Sequence, residues 1–382
     1  MTHPLVAIVY YANPDFSPHV RRQSATLHQC GLRVWGIGVT HPDQVPHCTS
    51  ILDKNDTACQ PVWARRGALS FIHFMFHSFC VLWKSRPYLL QAIDPPALLP
   101  CTLHSLIRGI PLHYLSLEDF PDCTPLVNRP LVRALWLALE ALCIKRARAV
   151  AMVAQVDADS YVQRYRIAPP FIVRNVPSLG PLLTREQLTL RKRFGWTADH
   201  FVMMYHGMLE PGRGIERVFH VLEHFPHARY AVAGYGTWQA HLQELARERG
   251  IADSIGWVGP YAHEELPALL QDADLGIMLI CNVSKSYYQA LPCKLFECVH
   301  AVVPVLASFF PQMQSYIEGC SVGLCVSPDN DEQILETVKE LIPRGTLYRQ
   351  LRQACRTERT RTNWETEEHE YRAFLGLCEG GH

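Results

Sequence analysis

Short apolar runs alternate with helix-length segments along the whole chain. LVAIVYY (Leu5–Tyr11) opens the pattern as a buried strand. Ser17–Gln29 follows with helical spacing, Gly31 ends it, and LRVWGIG (32–38) returns as a strand. Further strands are predicted over Tyr88–Ile93, Leu112–Ser116, Ala149–Val153 and Phe171–Val173. Helices lie between them, Leu131–Lys145 among them. Strands that are apolar on both faces belong in a parallel sheet covered on both sides.

The stretch NVPSLGPLL (175–183) interrupts the pattern, and its two prolines and glycine mark a turn-rich linker. Strands are then predicted over Phe201–Tyr205, Tyr230–Ala233, Ile255–Val258, Leu275–Ile280 and Val303–Ala307. The helices between them include Ile215–Glu223, Thr237–Arg249, Glu264–Gln271 and Pro292–Ala301. The chain reads as α/β, with two Rossmann-like doubly wound domains, 1–175 and 176–360. Residues 361–382 carry a terminal helix, Asn363–Leu375, expected to pack back toward the N-terminal domain. In such sheets ligands bind beyond the carboxyl ends of the strands, so the residues after each strand matter most.

Composition narrows the class. With 382 residues, 48% hydrophobic and 19% charged, the chain is long enough for two cores. A formal net charge of zero argues against a nucleic-acid partner. The fourteen cysteines contain no CxxC pair, and many of them, Cys80, Cys143 and Cys298 among them, sit in apolar surroundings, which fits a reducing cytoplasm. MTHPLVAIVYYANPDF lacks a basic leader region and a cleavage site, and reads as a first strand. Gly67–Trp83 is strongly apolar yet shorter than the ~20 residues that span a bilayer. It reads as a core helix or as an interfacial one at the inner face of a membrane. His73 and His77 lie one turn apart on it, without the carboxylate that would complete an HExxH zinc motif.

Four loops of the second half carry candidate chemistry. HGMLEPGRG (206–214) follows a strand, and its glycines permit close backbone approach to a ligand. Arg213 there suits a phosphate or a solvated turn equally well. Gly234-Tyr235-Gly236 is half of a dinucleotide fingerprint and equally a tight turn. Trp257-Val258-Gly259-Pro260-Tyr261 is a turn with backbone groups available to a base edge. In ALPCKLFECVHAVVPVLAS (290–308), Lys294 and Glu297 lie three residues apart in an otherwise apolar helix. A cation in the first turn opposes the helix dipole unless an anion is present. A local ion pair is worth only ~0.3 kcal/mol. Lys294 on a phosphate and Glu297 on the ribose of the same nucleotide explain both charges.

These segments together resemble the family-four type of glycosyltransferase, whose two Rossmann-like domains face each other across a cleft (the GT-B arrangement). The resemblance rests on HGMLEPGRGIERV (206–218), AVAGYG (231–236), WVGPYAHEELPALLQDADLGIMLI (257–280) and LPCKLFECVHAVVPVLAS (291–308). The N-terminal half adds SPHVRRQSATLHQCGLRVWGIG (17–38) and VRNVP (173–177). It implies retaining transfer of a sugar from a nucleotide-diphosphate donor, of UDP or GDP type, without metal or other cofactor. Arg213 and Lys294 match the family's diphosphate binders, and Glu297 matches the ribose-binding glutamate that ends its E-x7-E motif. Gly207, Gly234, Tyr235, Gly236, Val258 and Tyr261 would line the donor.

Three positions depart from the family pattern. Gln289 stands where the first glutamate of E-x7-E is expected, Met208 where an arginine is common, and Leu117 where relatives carry a histidine near the acceptor. Glu118, beside Leu117, is the candidate replacement, with a structural ion pair as the other reading. Asn13, Asp15 and Asp94 are acceptor-side candidates, with turn-forming or helix-capping roles as alternatives. The implied acceptor is a glycan, a glycolipid or a small molecule. Competing readings are a degenerate GT-B protein that binds nucleotide or a partner without transfer, and a GT-B sugar-nucleotide epimerase. A dehydrogenase is disfavoured, because no complete GxGxxG follows the first strand.

Overall fold

A computed structural model describes residues 3–14, 17–40, 57–61 and 68–377. The chain divides into an N-terminal unit, Met1–Asn175 with Trp364–His382, and a C-terminal unit, Val176–Asn363. Each is built on one parallel sheet. The N-terminal sheet contains β1 (Leu5–Tyr10), β2 (Arg33–Thr40), β3 (Thr57–Pro61), β4 (Leu89–Ile93), β5 (Leu112–Ser116), β6 (Ala149–Met152) and β7 (Phe171–Ile172). Its order is β3-β2-β1-β4-β5-β6-β7. The C-terminal sheet contains β8 (Phe201–His206), β9 (Ala228–Ala233), β10 (Ile255–Gly259), β11 (Leu275–Met278), β12 (Val305–Ser308) and β13 (Gly323–Val326), in the order β10-β9-β8-β11-β12-β13. The expected pair of doubly wound α/β domains is therefore present. In both, strand order reverses beside the first strand, which opens a crevice beyond β1/β4 and β8/β11.

Alternating side chains feed two cores per sheet, because successive residues of a strand point to opposite faces. Ala7 and Val9 join Phe74, Leu98 and Cys143 on one face of the N-terminal sheet. Val6 and Ile8 join Val20, Leu27, Trp364 and Phe374 on the other. Trp364 thus belongs to the helix Trp364–Leu375, which completes the N-terminal unit. Its Nε1 donates to Thr26 Oγ1 at 3.1 Å. Tyr371 OH donates to Gln91 Oε1 at 2.8 Å, and Gln91 Nε2 donates to Gln23 Oε1 at 2.8 Å. This buried polar thread fixes how the terminal helix docks, since each member left unpaired would carry a desolvation penalty of ~1–3 kcal/mol.

Three local readings change. The strands β3 and β13 are additional: TACQP and GLCV are too short to show alternation. The helix expected over Ile215–Glu223 is a 3-10 turn, Ile215–Val218, followed by a short α-helix, Phe219–His224. Ile215 and Val218 are β-branched, fully buried and stiff at χ1, which disfavours a regular first turn. Third, the apolar helix Ala68–Trp83 is not a buried core helix. Phe74 and Leu82 are buried, whereas Leu69 and Phe76 are 71% and 69% exposed. Among the described residues no helix is long and apolar enough to cross a membrane.

Candidate functional site

The turns after β8, β9 and β10 are knitted together by their backbones. Gly207 N–H donates to Ala233 O at 2.9 Å, Leu209 N–H to Tyr235 O at 2.9 Å, and Gly234 N–H to Gly259 O at 2.8 Å. The close approach requires glycine. Gly207 and Gly234 have φ of +117° and +135°. A Cβ on Gly234 would collide with Gly207 O, and one on Gly236 with Leu209 O. These glycines are thus fixed by packing, and the turns form one rigid rim at the switch point of the sheet.

Lys294 rises against this rim. Pro292 caps the helix Cys293–His300, which has no acidic residue in its first turn. Lys294 Nζ donates to Tyr205 OH at 3.0 Å and lies 4.3 Å from the centroid of that ring. Tyr205 OH in turn donates to Met208 O at 2.6 Å. One phenol therefore holds both the ammonium and the turn. A Cβ on Gly207 would collide with Lys294 Cε and Nζ, so the ammonium sits directly on the glycine backbone. Burial, with the Arg213 charge adding, lowers the Lys294 pKa to about 7 against smaller opposing pulls from Cys293, Glu297 and Cys298. A cation so destabilised gains most from an arriving anion.

Arg213 stacks its guanidinium 4.6 Å from the Tyr287 ring centroid. Its Nε is buried with no hydrogen-bond partner. Glu297, one turn beyond Lys294, accepts at Oε2 from His206 Nε2 at 2.8 Å, with a side chain 15% exposed. Glu297 also borders a cavity of about 240 Å³ walled by His263, Leu266, Pro267, His300 and Arg359. The structure brings Gly207, Lys294 and Glu297 together at the end of β8. Arg213 joins them through its electrostatic effect on Lys294.

The remaining donor-side candidates are placed less uniformly. Tyr235 is exposed on the rim. Val258 turns its side chain into the core, and its carbonyl accepts from Arg193 at 2.8 Å. Tyr261 packs against the same core, and burial, with Glu297 adding, raises its phenol well above the usual range. Gln289 follows the short helix Lys285–Tyr288 and is partly exposed. Sequence reasoning passed over Tyr205, His206 and Tyr287. Tyr205 and His206 are the last two residues of β8, the position from which side chains reach a switch-point crevice. In the sequence Tyr205 ends a predicted strand and His206 opens the glycine-bearing loop, so neither stands out by itself.

The corresponding edge of the N-terminal unit carries no such cation pair among its candidates. Asn13 is buried at the end of β1. Asp15 lies outside the described residues. Asp94 is not a helix cap: Ile93 is the N-cap, and Asp94 is the first helical residue, with φ of +62°. Its Oδ1 accepts from Leu117 N–H at 2.8 Å, which ties the end of β4 to the end of β5. Burial, with Glu118 and Glu140 adding, raises the Asp94 carboxyl to about 8 against the opposing Leu117 hydrogen bond. Glu118 is exposed, and its carbonyl accepts from Ser116 Oγ at 2.8 Å.

Fold and site together define a chain of two Rossmann-like units, the C-terminal of which carries the anion-ready edge. Residues 186–358 match the family described as glycosyl transferases group 1. Alpha-D-kanosaminyltransferase of Streptomyces kanamyceticus is 23% identical over 157 residues, 40% of this chain and 39% of that protein. The chain spans between 26% and 58% of the length of the first curated relatives it matches. Among solved structures, sucrose-phosphate synthase from Thermosynechococcus elongatus superposes with a TM-score of 0.76 at 15% identity, covering 98% of this chain and 100% of that one. Anabaena HepE in complex with UDP-glucose gives 0.74 at 14% identity, with 98% and 100% covered.

Proposed function

We propose that this chain is a retaining glycosyltransferase of the family-four type. It moves a sugar from a nucleoside-diphosphate donor, of UDP or GDP type, to a glycan, lipid-linked or small-molecule acceptor. The observation that carries the reading is the Lys294 ammonium, held on the Gly207 backbone by Tyr205 and discharged in part by burial. Arg213 adds a second cation with an unsatisfied Nε. As the bond between the sugar and the diphosphate breaks, its electron pair moves to the phosphate oxygen. Lys294 and Arg213 stabilise that charge in a site already organised for it, a contribution typically worth 10²–10³-fold in rate for one donor. This pair supplies the neutralisation for which a metal would otherwise serve. Glu297, held by His206, accepts from the ribose hydroxyls, and the adjoining cavity takes the nucleoside side. The HepE complexes with UDP and UDP-glucose support a uridine donor.

Calorimetric titration of the full chain with UDP, GDP, ADP and their common sugar conjugates tests the assignment. Selective binding of one nucleotide, weakened at least about tenfold in Lys294→Ala, is expected. Absence of heat with every nucleotide, or equal affinity in the variant, contradicts it.

A further inference from the structure

The helices Ala68–Trp83, Asp94–Arg108 and Pro130–Ile144 lie side by side on one face of the N-terminal sheet. Their inner sides fill the core. Their outer sides are apolar as well: Leu106 is 58% exposed, Leu131 86%, Leu135 66% and Leu142 80%, beside Leu69 and Phe76. The first helix contains no charged residue. The two carboxylates of the other helices are engaged, Asp94 by Leu117 and Glu140 by Tyr114, Tyr161 and Tyr165. A helix layer facing water normally carries a polar outer face, and a broad apolar one marks an interaction surface.

Charge identifies what covers it. Each helix leads into the next parallel strand, so all three end at the edge where the strands begin. Lys84 and Arg86 follow the first helix, Arg108 ends the second, and Lys145, Arg146 and Arg148 follow the third. The stretches 84–93, 108–117 and 145–156 contain no carboxylate. All six cations except the partly covered Arg108 are exposed, and the Arg108 guanidinium lies 4.5 Å from the Trp83 ring centroid. On a chain of zero formal net charge this is a local asymmetry. A second copy of the same face offers these cations no counter-charge. Lipid phosphates do, and aromatic and cationic side chains together suit the headgroup level.

We propose that this three-helix face docks on a bilayer surface bearing anionic lipids. The exposed leucines and Phe76 enter the interface, and the cationic edge contacts lipid headgroups. The opposite edge, with Asn13, Asp94 and Glu118, remains uncovered. The inference stands apart from the assignment of the donor site.

Flotation of the full chain with vesicles tests it. Phosphatidylcholine vesicles containing about 30 mol% phosphatidylglycerol should bind the protein at least about tenfold more strongly than pure phosphatidylcholine, and added salt should weaken binding. Lys145→Gln with Arg146→Gln should lower the partition coefficient about fivefold per cation removed. Leu106→Glu with Leu135→Glu should abolish binding, and an unchanged unfolding transition shows that the fold survives. No binding of the wild type to anionic vesicles, or wild-type binding by both double variants, overturns the proposal. So does a dimer in light scattering that Leu135→Glu dissociates, which assigns the face to a second copy.

Discussion

The two sheets share one strand order around their first strands, yet the turns at those strand ends lean on different things. After β8, Gly207 rests on the Lys294 ammonium, with Arg213 near enough to depress its pKa. After β1, the turn Ala12–Pro14 rests on Gly38 of β2, where a Cβ would collide with Ala12 O and the Pro14 ring. In the first case glycine makes room for a charge, and in the second it makes room for backbone. The nearby ionisable group also differs. The C-terminal unit holds a lysine pushed toward neutrality, and the N-terminal unit a carboxyl pushed the same way by burial. The same scaffold thus holds a lysine near neutrality at one edge and a buried carboxyl near neutrality at the other.

The largest expected effect breaks the first half of that comparison. Gly207→Ala places a methyl group on Lys294 at a backbone φ that L-residues rarely adopt. It should abolish measurable nucleotide binding and destabilise the fold by about 1–3 kcal/mol. Gly38→Ala should destabilise the fold while leaving nucleotide affinity unchanged. Equal loss of affinity in both would erase the distinction between the turns.

A smaller effect separates the two ends of the donor. Glu297→Gln should weaken UDP binding about tenfold, through loss of a charged hydrogen-bond acceptor, and change pyrophosphate binding far less, through its small pull on Lys294 alone. Competition experiments with the two ligands measure this directly. Parallel losses for both would remove Glu297 from the nucleoside side.

The smallest effect concerns Asp94. Because its folded pKa lies near 8, the folded chain holds a proton that the unfolded chain releases near pH 4. Its contribution to stability is complete at acid pH and is lost as pH rises toward 8. Asp94→Asn retains an acceptor for Leu117 N–H. It should raise stability at pH 8 by roughly 1 kcal/mol or more and leave it nearly unchanged at acid pH. Chemical denaturation at both pH values checks it, and a variant less stable at pH 8 counts against the neutral buried carboxyl.

Much of this was legible in the sequence, unevenly. Continuous apolar strands and the proline-bearing linker declared two parallel α/β domains. The paired charges of Lys294 and Glu297 in an apolar helix pointed to the candidate site, because a local ion pair worth only ~0.3 kcal/mol explains them less well than a bound anion does. The short strands β3 and β13 were hidden, since four or five residues carry too little periodicity. Tyr205 and His206 were hidden because a strand-end aromatic or histidine looks like core until its neighbours across the sheet are known. The apolar outer face of Ala68–Trp83 was also ambiguous: composition gives the number of apolar residues but not which side the sheet covers.

The central claim is that Lys294 meets the donor diphosphate as a cation. The direct measurement is UDP affinity across about pH 7 to 9, by calorimetry in buffers of different ionisation enthalpy. Free Lys294 titrates near 7 and an adjacent diphosphate raises its pKa, so binding takes up a proton. The account predicts that affinity falls about tenfold per pH unit above 7 until the pKa of the complex is reached, and that Lys294→Ala binds weakly with no slope. A flat wild-type profile, or a slope that survives in Lys294→Ala, contradicts it.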